Sequence, residues 1–176
     1  EFLSSRTSDL KNDFEDLKTK LANFSSESEL VNPTALKSQE IQLRDMRTRL
    51  VEKAEIIVEK SDRRTILQSF REGGNLLALI KRADDFHLNR AVSEYRSNKL
   101  SLDDLNMQIE QFMVKNDVDL EREQKQLSAL EASESLLAKQ IERQSKELLV
   151  LQQLKRETET ARLLYESFFT RLQEMN

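Results

Sequence analysis

The sequence predicts an all-α fold, an elongated antiparallel helical coiled-coil hairpin with one very long C-terminal helix, and three observations carry that expectation. Only 2 glycines and 1 proline occur in 176 residues, too little turn chemistry for a sheet or a sandwich. Charged residues make up 34% of the chain and hydrophobic ones 38%, which is thin for a compact core but suited to amphipathic helices. Apolar residues recur at steps of three, four and seven, the period of a helical seam rather than of a strand.

The first helix is expected over about residues 2–29. Beyond Leu3 its apolar positions are Leu10, Phe14, Leu17, Leu21 and Phe24, and Lys11, Asp13, Glu15, Asp16, Lys18 and Lys20 supply a solvated outer face. Asn32-Pro33 punctuates the chain, since Asn is a good N-cap and Pro is tolerated at the first helical position. A second helix over 34–60 follows, with the stripe Leu36, Leu43, Met46, Leu50, Ala54 and Ile57. The stripe weakens at Ser61-Asp62, so a separate helix is expected over 62–72.

Gly73-Gly74 marks the chain reversal, because adjacent glycines reach the left-handed conformations that end a helix. A helix over 75–99 should follow, capped by Asn75 and carrying Leu76, Leu79, Ile80, Ala83, Phe86 and Ala91. Ser101-Leu102-Asp103-Asp104 resembles a capping sequence, and no Gly or Pro comes after it. One helix over 102–175 is therefore expected, about 110 Å long at 1.5 Å per residue.

The seam of that long helix reads Leu105, Ile109, Phe112, Leu120, Leu127, Leu130, Leu137, Ile141, Leu148 and Leu151, then Ala161, Tyr165, Phe168, Leu172 and Met175. Lys115-Asn116-Asp117-Val118-Asp119 is its weak point and a candidate kink, as Asn and Asp favour caps and turns. A lone amphipathic helix cannot bury such a seam, so the earlier helices should fold back along it, with pairing between chains as the other solution. The residues expected to carry coiled-coil or subunit packing are Leu10, Phe14, Leu17, Leu21, Leu127, Leu130, Leu137, Ile141, Leu148, Leu151, Tyr165, Phe168, Phe169 and Leu172. Tyr165, Phe168 and Leu172 share a face that reads as core packing, and Phe169, to its side, is the better candidate for touching another chain.

Chemistry is sparse. The formal net charge is -4, from 28 basic and 32 acidic residues intermixed along the chain, so no basic block suggests a nucleic-acid partner. Cysteine is absent, which excludes disulfides, thiolate metal sites and thiol nucleophiles. The single histidine, His87, falls in Asp84-Asp85-Phe86-His87, where a continuous helix would set Asp84 and His87 on one face. Two mixed ligands without a third make a weak metal site, and a solvated or locally bonded histidine is the better reading. Glu27 with Glu29 and Glu121 with Glu123 read as solvated charge rather than as a catalytic carboxylate pair, which needs a pocket to raise one pKa. No enzyme activity, cofactor or metal is expected. The longest aliphatic run, Leu76 to Ile80, is too short to cross a bilayer, and the opening Glu1-Phe2, with no initiator Met, suggests a piece excised from something larger.

The stretch Leu148–Glu174 carries a more specific pattern. Leu154, Arg156 and Glu157 fit a Leu-x-Arg-Glu element, and Arg162, Leu164, Tyr165, Glu166, Phe168 and Arg171 fit the Arg-x-Leu-Tyr-Glu-x-Phe-x-x-Arg part of a following Ala-x-Arg-x-Leu-Tyr-Glu-x-Phe-x-x-Arg element, Ala161 standing directly before Arg162 rather than one residue earlier. This resembles the end of the periplasmic helical region in bacterial exopolysaccharide-transport proteins of the Wzz chain-length-determinant superfamily. Phe2–Val31, with Phe24, Glu27 and Leu30-Val31, looks like the family's opening helix.

The resemblance implies a single periplasmic segment, residues 1–176, of an inner-membrane polysaccharide co-polymerase whose two transmembrane helices flank it. It further implies self-association of the full-length protein into rings that set polysaccharide chain length, with a polysaccharide polymerase or an outer-membrane exporter as further partners. Many members carry a cytoplasmic tyrosine kinase domain, and no phosphate-binding motif of that kind occurs in this sequence. Two other readings stay open: the coiled-coil hairpin of a periplasmic adaptor in an export pump, and a generic structural coiled coil.

Overall fold

A computed structural model describes residues 2–28 and 32–175. Among them the chain is all-α, with α1 (Phe2–Glu27), α2 (Pro33–Glu72), α3 (Leu76–Ala83), α4 (Phe86–Arg96) and α5 (Leu102–Glu174, 73 residues). The expected end of the first helix at Glu29 lies outside the described residues.

Local chemistry fixes most boundaries. Asn32 opens α2: its side-chain oxygen accepts from the Thr34 amide at 2.9 Å and its carbonyl from Leu36 at 3.0 Å, with Pro33 as the first helical residue. At the far end of α2, the amide of Asn75 donates to the Phe70 carbonyl at 2.9 Å and that of Gly74 to Arg71 at 3.1 Å. This paired closure requires a left-handed residue between the two donors, and Gly74 supplies it at φ 71°. Asn98 serves the same purpose after α4, at φ 57°, with Lys99 donating to Glu94 and Asn98 to Tyr95. Asparagine is among the few non-glycine residues that enter this conformation readily.

Asn75 also starts α3, accepting from the Ala78 amide at 3.2 Å. Ser101 caps α5: its hydroxyl accepts from the Asp104 amide at 3.1 Å and donates to the Asp104 carboxylate at 2.6 Å.

Two expected boundaries are corrected. The break at Ser61-Asp62 is absent, and α2 runs without interruption from Pro33 to Glu72. The seam there is held by Lys60, whose ammonium reaches Glu123 at 3.4 Å, so an ion pair stands where the apolar stripe thins. Conversely, the single helix over 75–99 is two helices. Asp84 turns left-handed at φ 47° and closes α3, and Asp85 caps α4 by accepting from the Leu88 amide at 3.0 Å. The candidate kink at Lys115–Asp119 does not interrupt α5, which is helical throughout.

The stripes shift accordingly. Ala54 and Phe86 are exposed, Lys53 taking the seam position beside Ala54, and Met175 lies past the end of α5 at 71% exposure.

The chain divides into two units, Asp45–Glu134 and the remainder, residues up to Arg44 with those from Ser135 onward; α2 and α5 contribute to both. The core of Asp45–Glu134 gathers where α3 and α4 cover the end of α2 and the start of α5. Leu67, Leu79, Leu88, Leu105 and Ile109 are almost wholly enclosed there, with Ile80, Ala83, Ala91, Val92 and Met113 around them. Arg63 on α2 donates to the Ala83 carbonyl, satisfying one of the acceptors left open at the C-terminus of α3. In the other unit, Leu36, Leu43 and Ile141 are buried together, with Leu137, Ala138 and Leu148 packed against them.

Candidate functional site

Two stretches of seam bring the sequence-derived packing residues together. In the unit containing both chain ends, Leu10 is buried, and Phe14, Leu17 and Leu21 are half-buried along α1. The Phe14 ring stacks on Tyr165 of α5, centroids 6.5 Å apart and planes within 11°. Tyr165 in turn meets Phe169 at 5.8 Å, and the Lys18 ammonium lies 5.8 Å from the Phe14 centroid. Phe168 and Leu172 are half-buried, whereas Phe169 keeps 40% of its surface exposed. Ile141 is buried in the α2–α5 cluster with Leu137 and Leu148 against it, and Leu151 is half-buried. The remaining pair, Leu127 and Leu130, belongs to the other unit and is half-buried on α5.

Residues of the C-terminal motif are engaged. Arg162 is clamped between two carboxylates on its own helix, with Nη2 at 2.6 Å and Nε at 3.0 Å from Glu159 and Nη1 at 2.6 Å from Glu166. The carboxylates hold the guanidinium above its ordinary pKa, and Arg162 holds the Glu159 carboxyl below the usual carboxylate range. Ala161 and Leu164 edge a shallow groove between α1 and α5 that Leu10 and Leu17 also line.

The Asp45–Glu134 unit holds a feature that the apolar stripes missed. Its α2 and α5 segments are joined by Arg47–Glu134 at 2.7 Å, Lys53–Glu123 at 2.6 Å, Lys60–Glu123 at 3.4 Å, Arg64–Asp117 at 2.6 Å, and Arg71–Glu110. Rising numbers on α2 meet falling numbers on α5, which fixes the pair as antiparallel. At the centre, the Glu123 side chain is only 15% exposed and faces two ammonium groups, with Lys53 also donating to the Gln126 oxygen at 2.6 Å. The hydrogen bond from Lys53, assisted by Lys60, pulls the Glu123 carboxyl below its usual range against the opposing effect of burial.

A signal for this charged layer was present in the sequence. Half-buried positions on α2 step 46, 50, 53, 57 and 60, and on α5 the buried 120 is followed by half-buried 123, 127 and 130, so Lys53, Lys60 and Glu123 sit in register with Leu50, Ile57 and Leu127. A count restricted to apolar letters passes over them.

The other candidates separate. Asp84 and Asp85 end one helix and begin the next, so Asp84 and His87 do not share a helical face; His87 is exposed and meets the Phe86 ring edge-on at 5.6 Å. Glu121 pairs with Lys125 at 2.7 Å on the surface and is thereby divided from Glu123 in the seam. Glu29 lies outside the described residues. Among the described residues no group of three or more His, Cys, Asp or Glu is placed to hold a metal ion, and no helix is long and apolar enough to cross a membrane. Comparison with family models, with curated proteins and with solved structures found no match.

Proposed function

We propose that this chain is a periplasmic helical segment of an inner-membrane polysaccharide co-polymerase, which works by helix packing and assembly rather than by chemistry. In the full-length protein, anchored by flanking membrane segments, copies of it would assemble side by side and so help to set the length of an exopolysaccharide or O-antigen and its export. The observation that carries this reading is the motif from Leu154 to Arg171, a pattern more specific than heptad leucines.

Two of its members also have evident work: Arg162 is locked to Glu159 and Glu166, and Tyr165 joins α5 to α1 through Phe14. A motif that ties two helices together suits a part whose task is mechanical. Anchoring to a membrane would raise the local concentration of copies and favour assembly that isolated segments do not reach.

Deletion of the gene in its host, followed by sizing of the surface and secreted polysaccharide on gels, tests the reading. Loss of the normal modal chain length, restored by the wild-type gene but not by a Phe14→Asp, Tyr165→Asp variant, is the expected result. An unchanged polysaccharide profile in the deletion strain would overturn it.

A further inference from the structure

The outer side of the α3–α4 pair carries a groove that neither the seam nor the polysaccharide reading uses. It encloses about 420 Å³ between Leu77, Ala78, Ile80 and Lys81 of α3 and Asn89, Val92 and Arg96 of α4, a size typical of binding sites, about 300–1,000 Å³. Ile80 and Val92 form a closed apolar floor at 3% and 8% exposure, whereas Leu77 stands at its edge with 54% of its surface open. The spacing of these residues, three to four apart on each helix, is that of a surface able to receive the ridge of another helix.

Charge selects among possible occupants. The segment of residues 76–99 that forms α3 and α4 bears five cations, Lys81, Arg82, Arg90, Arg96 and Lys99, within a chain of net charge -4. Of its three carboxylates, Asp85 caps α4 and Glu94 pairs with Arg90 at 3.0 Å, whereas Asp84 closes α3 through its backbone amide and its side chain is exposed. Lys81 and Arg96, one on each helix beside the apolar floor, make no ion pair among the described residues. An apolar floor flanked by two uncommitted cations favours a ligand with an apolar ridge and acidic flanks.

We propose that the α3–α4 groove is a docking site for an acidic amphipathic helix of a partner protein. This surface is distinct from the seam and independent of the polysaccharide assignment. The partner's apolar residues would cover Leu77 and the Ile80–Val92 floor, and its carboxylates would meet Lys81 and Arg96.

Two synthetic helices of about 20 residues, long enough to be helical in water, test this when they share one leucine stripe and differ only in Glu or Lys on the polar face. Titrated against the full chain at low salt and followed by backbone amide resonances, the Glu peptide is expected to bind about fivefold or more tighter, as two exposed ion pairs would give. Its largest perturbations should fall on α3 and α4. Lys81→Glu with Arg96→Glu should reverse the ranking, Leu77→Gln should weaken both peptides, and Phe86→Ser, exposed and off the groove, should change neither.

Equal binding of the two peptides would overturn the proposal, as would perturbations centred on other elements or self-association through α3 and α4 in place of peptide binding. Lys81 and Arg96 also sit in the last turns of their helices, where cations stabilise the helix end. Should the charge reversal unfold this end, Lys81→Gln with Arg96→Gln is the second variant. A preference for the Glu peptide that survives it undiminished would equally refute the docking site.

Discussion

Single side chains divide here into those that enclose and those that specify. Leu79 has no solvent exposure and sits where α2, α3, α4 and α5 converge, so Leu79→Ala removes packed atoms from a site with little freedom to collapse. A loss of about 2–5 kcal/mol in urea unfolding is expected, whereas Leu127→Ala, half-exposed on the seam, should cost clearly less. Glu123 belongs to the second kind. Lys53 and Lys60 lower its carboxyl below the ordinary 4.5, so the unfolded chain binds that proton more readily than the folded one. Its contribution is therefore present above about pH 4.5 and is lost as the pH falls through the lower, folded value. Glu121, Glu142 and Glu159 are lowered in the same direction by Lys125, Lys146 and Arg162, so the wild type alone cannot isolate Glu123. Urea midpoints of Glu123→Gln should lie below the wild type at pH 7, with the gap closing as the pH falls below the ordinary 4.5 and through the lower, folded value. A gap that stays constant across that range would show that the carboxylate charge contributes nothing.

At the scale of elements, the sequence was most readable where backbone chemistry is strict. Asn32-Pro33, Gly74, Asn75 and Ser101 each act as their residue type demands, because caps and left-handed turns depend on one or two side chains. It was least readable where a distant partner decides. Ser61-Asp62 looked like a fading seam, yet Lys60 is held by a carboxylate 63 residues away, and no local window contains that fact. The division at Asp84-Asp85 lay within reach, since Asp85 precedes Phe86 as an N-cap should, but the apolar spacing through Phe86 suggested continuity. For the same reason the apolar list for the candidate seam omitted Lys53, Lys60 and Glu123. The Asn116–Asp119 stretch illustrates tertiary override of propensity: Asp117 is tied to Arg64 across the helix pair, and Leu120 is buried one residue beyond the stretch. Hydrogen exchange tests that point. Amides of residues 115–119 should be as protected as those of 108–112, and a local window of fast exchange there would identify a hinge.

For the molecule as a whole, the decisive question is whether α2 folds back on α5 of its own chain. Leucine stripes alone do not choose between an intramolecular pair and one formed with a second copy, since either arrangement buries the same surface. In this chain the antiparallel ladder from Arg47–Glu134 to Arg71–Glu110 is intramolecular, the chain reversing through α3 and α4 within the same unit, Asp45–Glu134. Each exposed rung, such as Arg64–Asp117, is worth about 0.2–1 kcal/mol, so the ladder sets register more than it adds stability. Zero-length carbodiimide coupling read by peptide mass spectrometry addresses this directly, using native lysines and carboxylates. The expected products are Lys53–Glu123 and Lys60–Glu123 links within the monomer band, at protein concentrations low enough to suppress association. Their absence, or their appearance only between isotopically distinct chains, would contradict the fold-back.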